Sequence, residues 1–143
     1  MSGFEVTVNQ EHKDECMKEN NINDDIKHVM YIIINNEADL TGGNVICQSC
    51  YSFSKVIRIL EELQSDSYVT WQEEGEIMIV LKAKEEDLLY CVNNFSDVDQ
   101  EVWCQYNIDI EKTQISPFLL TSVVFCPMQK GMTPDFIRKM KLY

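Results

Sequence analysis

The chain has 143 residues, enough for one domain with a substantial hydrophobic core. Its formal net charge of −12 argues against a general nucleic-acid-binding protein, because contacts to phosphates need Lys and Arg. No apolar run approaches the roughly 20 residues that span a bilayer, and the first residues lack the basic and apolar regions of a signal peptide. We therefore expect a cytoplasmic protein without membrane contact, whose six cysteines are free thiols.

The first half of the chain predicts an acidic arm, a strand and a helix. Residues 1–25 are polar and acidic, so we expect a mobile N-terminal arm there. An apolar, β-branched run at 29–34 predicts a strand that is buried on both faces. A turn with Gly42 and Gly43 then leads into a predicted helix over about 45–63. Apolar residues at helical spacing predict its buried stripe: Ile46, Cys50, Phe53, Ile57 and Leu60.

The second half predicts more strands and helices around the same sheet. Residues 68–71 are interpreted as extended chain or a turn. Further strands are expected at 77–82, 102–108 and 119–125, and further helices at 84–95 and 136–140. The order β-α-β-α-β-β-α favours an α/β fold over residues 26–143, a single-domain three-layer α/β/α sandwich on a four-stranded mixed sheet.

A C-x-x-C motif, Cys47 to Cys50, lies near the start of the first predicted helix. In a thioredoxin-like protein the helix dipole would acidify the first thiol of such a pair, so a redox function is one interpretation. Cys50 also belongs to the apolar stripe, and two core thiols are the competing interpretation. The chain has no second C-x-x-C motif, and we expect neither a metal nor another cofactor.

A polar segment from Asp109 to Gln114 joins two predicted strands. It places a carboxylate and a hydroxyl four residues apart, at Asp109 and Thr113. Taken alone, it is interpreted as a polar turn in which Asp109 bonds to nearby backbone. Lys82 ends another predicted strand, and a lysine in that position either extends along the surface or faces a cleft.

Several segments in a fixed order resemble one known family. The glycine turn ends in Gly43-Asn44, an apolar pair follows, and then comes Gln48. Later segments are the strand ending in Lys82, the connector Asp109-Ile110-Glu111-Lys112-Thr113-Gln114-Ile115 with Pro117 after it, and the last strand between Thr121 and Pro127. Over residues 26–143 this pattern resembles the type 2 peptidyl-tRNA hydrolase family of archaea and eukaryotes. In that family a lysine stands at the position of Asn44 and a histidine at that of Tyr51.

The resemblance implies a translation enzyme, active in ribosome rescue, that cleaves the ester joining a peptide to the 3′ end of tRNA without a metal. It implies that Asp109 orients or deprotonates a water molecule. Thr113 and Thr121 would position the water or the substrate, and Gln48 together with backbone N–H groups near Asn44 would donate to the developing oxyanion. The residues implied in substrate binding are Gly43, Asn44, Tyr51, Lys82, Lys112 and Thr121.

Departures from the family pattern lead to two hypotheses. At Asn44 a neutral amide stands in place of a cation, and losing one such group typically costs on the order of a hundredfold in rate. The first hypothesis is a diverged hydrolase that binds peptidyl-tRNA weakly, because only the segment 127–143 is locally basic. The second is a catalytically silent member, a binding or regulatory module that uses the same cleft to bind a protein partner or tRNA without turnover. Homodimers are common in the family, which leaves a homodimer open by analogy.

Overall fold

The computed structural model describes residues 24–109 and 119–143. Within these ranges the elements follow in the order β1 (His28–Asn35), α1 (Gly42–Leu63), α2 (Asp66–Glu73), β2 (Met78–Ala83), α3 (Glu85–Phe95), β3 (Cys104–Asp109), β4 (Leu119–Phe125), β5 (Met128–Gln129), a 3-10 turn (Lys130–Met132), α4 (Asp135–Arg138) and β6 (Lys141–Leu142). Most of the expected N-terminal arm lies outside the described residues, as do Lys112 and Thr113.

The strands form one mixed sheet. Its order is β3-β4-β1-β2-β6, and β5 pairs with the first residues of β1. β1 runs parallel to β2 and antiparallel to β4, while β4 is antiparallel to β3. Consequently β1, β2 and β3 all end at the same side of the sheet, at Asn35, Ala83 and Asp109. We call this side the carboxyl edge, and β4 and β6 begin there.

Helices cover both faces of the sheet and give it two hydrophobic cores. On one face, α1 and α2 pack on residues of β1 and β4, a core that contains Met30, Ile32, Ile34, Val56, Leu60, Trp71 and Val124. On the other, α3 and α4 pack on a core that contains Tyr31, Ile33, Leu88, Cys91, Phe125 and Ile137. Full burial of one such side chain contributes about 1.5–3 kcal/mol. The expected mixed α/β fold is thus confirmed.

The expected number of strands is wrong. The sheet has six strands among the described residues, and not four. The two additional strands, β5 and β6, are only two residues long. Such a short strand shows no alternation of apolar and polar residues, so the sequence pattern carries no signal for it.

The buried face of helix α1 coincides only in part with the one that its apolar residues predict. Ile46 is 65% exposed, and both Cys47 and Cys50 are exposed. Of the predicted stripe, Leu60 is buried and Phe53 and Ile57 pack against the core. The other buried residues of the helix are Ser52 and Val56, which the stripe did not include. The predicted stripe is therefore wrong in the first turns of the helix, and so is the interpretation of Cys47 and Cys50 as core thiols.

Helix α2 lies where extended chain or a turn was expected. Ser65 caps it, since the Ser65 Oγ accepts a hydrogen bond from the Tyr68 N–H at 3.3 Å. Tyr68 and Trp71 are buried, and their rings stack with centroids 6.1 Å apart. Aromatic residues have only moderate helix propensity, and most helical stability in proteins comes from such tertiary packing. An eight-residue helix of this composition is therefore hard to recognise locally.

Candidate functional site

Gln48 joins helix α1 to two strands at the carboxyl edge. Its Oε1 atom accepts hydrogen bonds from the Asn107 amide on β3 and from the Thr121 hydroxyl on β4, the latter at 2.9 Å. The Thr121 hydroxyl also lies 3.1 Å from the Asn107 carbonyl, and its single proton serves one acceptor at a time. Thr121 is fully buried. One side-chain oxygen of α1 thus holds β3 and β4 together.

A second polar contact supports the backbone of the same helical turn. The Ser122 hydroxyl donates to the Gln48 carbonyl at 2.9 Å, and it lies 2.6 Å from the Ser52 hydroxyl. Both serines are fully buried. Buried hydroxyls that are all hydrogen-bonded fix the geometry of their surroundings, because an unmade bond would be costly there. Gln48 is therefore held through its main chain as well as its side chain.

Asp109 ends β3, two residues after Asn107. It is half-buried, and it pairs across the sheet with Leu119, the first residue of β4. A register irregularity lies between Asn107 and Ile108. Irregularities of this kind re-aim side chains and are common beside active sites. Gln48 therefore contacts the strand that carries Asp109 close to that residue, while the rest of the connector lies outside the described residues.

The start of α1 contributes the glycine turn. Thr41 caps the helix, because its Oγ accepts a hydrogen bond from the Asn44 N–H at 3.3 Å. Gly42 and Gly43 form the first helical positions, and a Cβ atom at either would meet nothing within 4 Å. The approach to this helix end is open. Since the cap already uses the Asn44 N–H, that group is not a ready oxyanion donor.

Two further residues from the predicted site are not among the hydrogen-bond partners of Gln48 in the described part of the chain. Tyr51 is 56% exposed on α1. Lys82 lies near the end of β2, and β1 and β4 separate its strand from β3. The structure thus brings Gln48, Thr121 and the end of β3 together, and it places Lys82 elsewhere on the carboxyl edge.

Sequence reasoning missed four polar residues that belong to this region. Asn107, Ser52 and Ser122 hold Gln48 in place, while the Asn35 amide at the end of β1 donates to the Leu120 carbonyl at 2.8 Å. A signal was present in the sequence. Gln48 and Ser52 share the four-residue spacing of Val56 and Leu60, and polar residues that continue a buried stripe indicate a polar core contact.

The cysteines and acidic residues form no candidate metal site in the part of the chain that the structure describes. No group of three or more His, Cys, Asp or Glu side chains there could hold a metal ion. Burial raises the pKa of the Cys91 thiol to about 12 and that of Cys126 to about 11. Cys47 lies five residues after Gly42, the first residue of α1, so the C-x-x-C pair is not at the end of the helix. None of the described helices is both long and apolar enough to cross a membrane.

Comparison with known families gives a match for this chain. The model of the peptidyl-tRNA hydrolase PTH2 family matches residues 28–143. The chain belongs to the peptidyl-tRNA hydrolase PTH2 family. This result confirms the resemblance that the order of segments indicates in the sequence.

Proteins named peptidyl-tRNA hydrolase are among those similar to this chain. The chain is 27% identical over 112 residues to a peptidyl-tRNA hydrolase from Methanococcus vannielii, a match that covers 78% of this chain and 95% of that protein. Proteins of the same name from two strains of Methanococcus maripaludis are 27% and 26% identical over the same length.

Proposed function

We propose that this PTH2 family member hydrolyses the ester between a peptide and the 3′ end of tRNA. The observation that carries the proposal is the contact of Gln48 with β3 and β4 beside Asp109, at the edge where three parallel strands end. Ligands of open α/β sheets bind outside the carboxyl ends of the strands. Family membership supports the substrate class, and the network supports the proposal that the chemistry takes place at this edge.

The roles of the residues follow from their hydrogen-bonding capacity. Asp109 accepts a proton from a water molecule, and the resulting hydroxide adds to the ester carbonyl. The Oε1 atom of Gln48 is occupied by two donors, which leaves its NH₂ group to donate to the oxyanion of the tetrahedral intermediate. Collapse of that intermediate breaks the bond to the ribose oxygen. The proton held by Asp109 then passes to this oxygen, so the products are a peptide acid and a free tRNA end.

Thr121 acts in this scheme by positioning Gln48. Its hydroxyl is buried and bonded within the network, so it holds the glutamine in place. For Thr113 and Lys112, on the connector, we keep the roles implied by the resemblance, water positioning and substrate binding. Gly43, Asn44 and Tyr51 would border the substrate at the start of α1.

Hydrolysis of a purified peptidyl-tRNA tests the proposal. Wild-type protein should release free tRNA, and Asp109→Asn, which keeps the shape of the side chain, should lower kcat by about a hundredfold or more. Asp99→Asn is the matched control, because Asp99 is exposed and its side chain makes no hydrogen bond within the described residues. An Asp109→Asn variant as active as wild type would contradict the role of Asp109.

A catalytically silent binding module is the second candidate. It is favoured by the neutral Asn44 and the exposed Tyr51, at positions where the family pattern has a lysine and a histidine. The same assay distinguishes the two. If wild-type protein at high concentration gives no turnover above buffer, the enzyme reading is wrong and the silent module remains.

Restoring the cation at Asn44 tests whether its loss slows the reaction. We expect Asn44→Lys to raise kcat by about tenfold or more, because a charge near the oxyanion stabilises it. Asn93→Lys adds the same charge at an exposed position of α3 and serves as the control. An equal rate increase in both variants would mean that net charge, and not the place of the lysine, sets the rate.

A further inference from the structure

Cys47 and Cys50 are neighbours on the surface of helix α1, on either side of Gln48 in the sequence. Both are exposed free thiols. Residues three apart on a helix lie close together, with Cβ atoms about 5–6 Å from each other. The hydrolysis proposed above uses neither thiol. The C-x-x-C motif is therefore a pair of accessible thiols that the proposed function leaves without a role.

The other cysteines that the structure describes are protected from oxidants. Cys91, Cys104 and Cys126 are buried, and burial raises the pKa of each thiol. Oxidants react with the thiolate and need access to the sulfur atom. Within residues 24–109 and 119–143, an oxidant in solution therefore reacts first with Cys47 and Cys50.

A disulfide between Cys47 and Cys50 requires a change in the helical turn that carries Gln48. The Cβ atoms of a disulfide lie about 3.5–4.5 Å apart, so the turn must tighten by roughly 1 Å from helical spacing. The Gln48 peptide group is part of the ring that the new bond closes. The Gln48 carbonyl accepts a hydrogen bond from the Ser122 hydroxyl at 2.9 Å. Rotation of this peptide group therefore weakens the contact between α1 and β4.

The same turn contains a feature that makes it easier to deform. The Ser49 hydroxyl donates to the Val45 carbonyl at 2.7 Å. A serine that bonds to the carbonyl four residues earlier competes with the helical N–H for that acceptor, and such contacts often bend helices. Ser49 lies between the two cysteines in the sequence. The tightening that a disulfide needs therefore meets less resistance here than in a turn without this serine.

We propose that hydrogen peroxide converts Cys47 and Cys50 into a reversible disulfide that switches the hydrolase off. The thiolate of one cysteine attacks peroxide, the O–O bond breaks, and a sulfenic acid and hydroxide form. The thiol of the other cysteine then attacks the sulfenic sulfur, whose oxygen leaves as water. In total the two thiols lose two hydrogen atoms, and peroxide is reduced to two water molecules.

Such a disulfide is easily reversed, and it stops the reaction by moving Gln48. Strained and exposed disulfides are the labile ones, so a thiol such as glutathione reduces this bond through a mixed disulfide. Displacement of a catalytic group by about 1 Å can cost about a hundredfold in rate. Movement of the Gln48 amide by this distance takes its N–H group away from the oxyanion. The inference rests on the proposed function, since it assumes that Gln48 serves an ester hydrolysis.

Mass spectrometry tests the oxidation without any hydrolysis. All proteins carry Cys16→Ser, which leaves the cysteines that the structure describes. The tryptic peptide 28–55 contains Cys47 and Cys50 and no other cysteine. After treatment with hydrogen peroxide and then catalase, this peptide should lack two hydrogen atoms, and dithiothreitol should restore them. Amide hydrogen exchange around Gln48 should be faster in the oxidised protein, because the turn is distorted.

The control variant Cys50→Ser/Ser54→Cys keeps the composition of the chain and both thiols on α1. Position 54 is exposed, and seven residues of helix separate it from Cys47 by about 10 Å, too far for a disulfide. The peptide 28–55 of this control should therefore form no internal disulfide. If the native pair forms none either, or if both proteins form one, the inference is wrong.

Hydrolysis of peptidyl-tRNA tests the switch itself. The oxidised protein should have a kcat about tenfold or more below that of the reduced protein, and dithiothreitol should recover the rate. Cys47→Ser and the control, which cannot close the bond, should keep their rates under the same treatment. Equal rates with and without the disulfide would retain the proposed function and overturn the switch. A disulfide that forms and speeds hydrogen exchange, with no hydrolysis by any form, would overturn the function and retain the oxidation site.

Discussion

Gln48 shows how neighbouring residues can give one amide a defined direction. An amide side chain has an acceptor end and a donor end, and here Asn107 and Thr121 both donate to the acceptor. The orientation is fixed before any substrate arrives, so no reorganisation is needed when negative charge develops. Preorganised donors of this kind are usually the largest electrostatic contribution to catalysis of acyl transfer.

Replacing Gln48 by glutamate distinguishes the role of the acceptor oxygen of this side chain from the role of its donor N–H group. Gln48→Glu keeps an oxygen for Asn107 and Thr121 but has no N–H group to donate to an oxyanion. We expect kcat for peptidyl-tRNA to fall about a hundredfold or more, while the melting temperature changes little. Steady-state kinetics and thermal unfolding of the same samples measure both quantities. A large loss of stability would instead assign Gln48 a structural role.

At the scale of the elements, Ser65 stabilises the start of helix α2, which follows directly after α1. Its hydroxyl accepts the Tyr68 N–H, one of the donors that a helix start leaves without an intrahelical partner. We expect Ser65→Ala to lower the free energy of unfolding by about 1 kcal/mol. Urea denaturation of both proteins measures the difference. Ser65→Asp, which restores a capping oxygen, should recover most of it; if it does not, the cap is not the cause.

The sequence predicts the long elements well and misplaces those whose burial depends on tertiary contacts. The β-branched run of β1 and the acidic start of α3 carry strong local signals, and both elements form there. Helix α1 is found, but the buried face of its first turns is not, because Gln48 and Ser52 face the sheet and are polar. The order of segments in the sequence predicts that Gln48 lies near the end of β3. It does not predict Asn107 and Ser122, because these residues matter only through the contacts that they make with helix α1 in the folded protein.

At the scale of the whole molecule, one ionic hydrogen bond ties the end of α2 to the start of β1. Glu74 Oε1 accepts from the His28 backbone N–H at 3.1 Å and lies 2.9 Å from the His28 Nδ1. Burial raises the pKa of Glu74, but the hydrogen bonds and the charge of His28 outweigh it, so the net pKa is lowered. A carboxyl group with a lowered folded-state pKa stabilises the fold above its unfolded pKa, and this stabilisation disappears as the pH falls through the folded value.

The pH dependence of stability should therefore reveal this bond. We expect wild type to exceed Glu74→Gln by about 1 kcal/mol in unfolding free energy at pH 6. The difference should shrink as the pH falls below about 4, because the glutamate then becomes neutral like the glutamine. Urea denaturation at a series of pH values measures it. Glu73→Gln, at the exposed neighbouring position, should give a difference that stays near zero across the range.

The two-residue strand β6 affects how readily the protein aggregates at high concentration. It pairs with β2, and the Tyr143 N–H donates to the Val80 carbonyl at 3.0 Å. Met78 and Val80 of β2 are 48% and 38% exposed. Without β6, the backbone N–H and C=O groups at this edge of β2 would be unpaired beside exposed apolar side chains. Such an edge can pair with strands of other molecules, and this pairing leads to aggregation. We therefore expect that deletion of residues 141–143 makes the protein aggregate before it abolishes the fold.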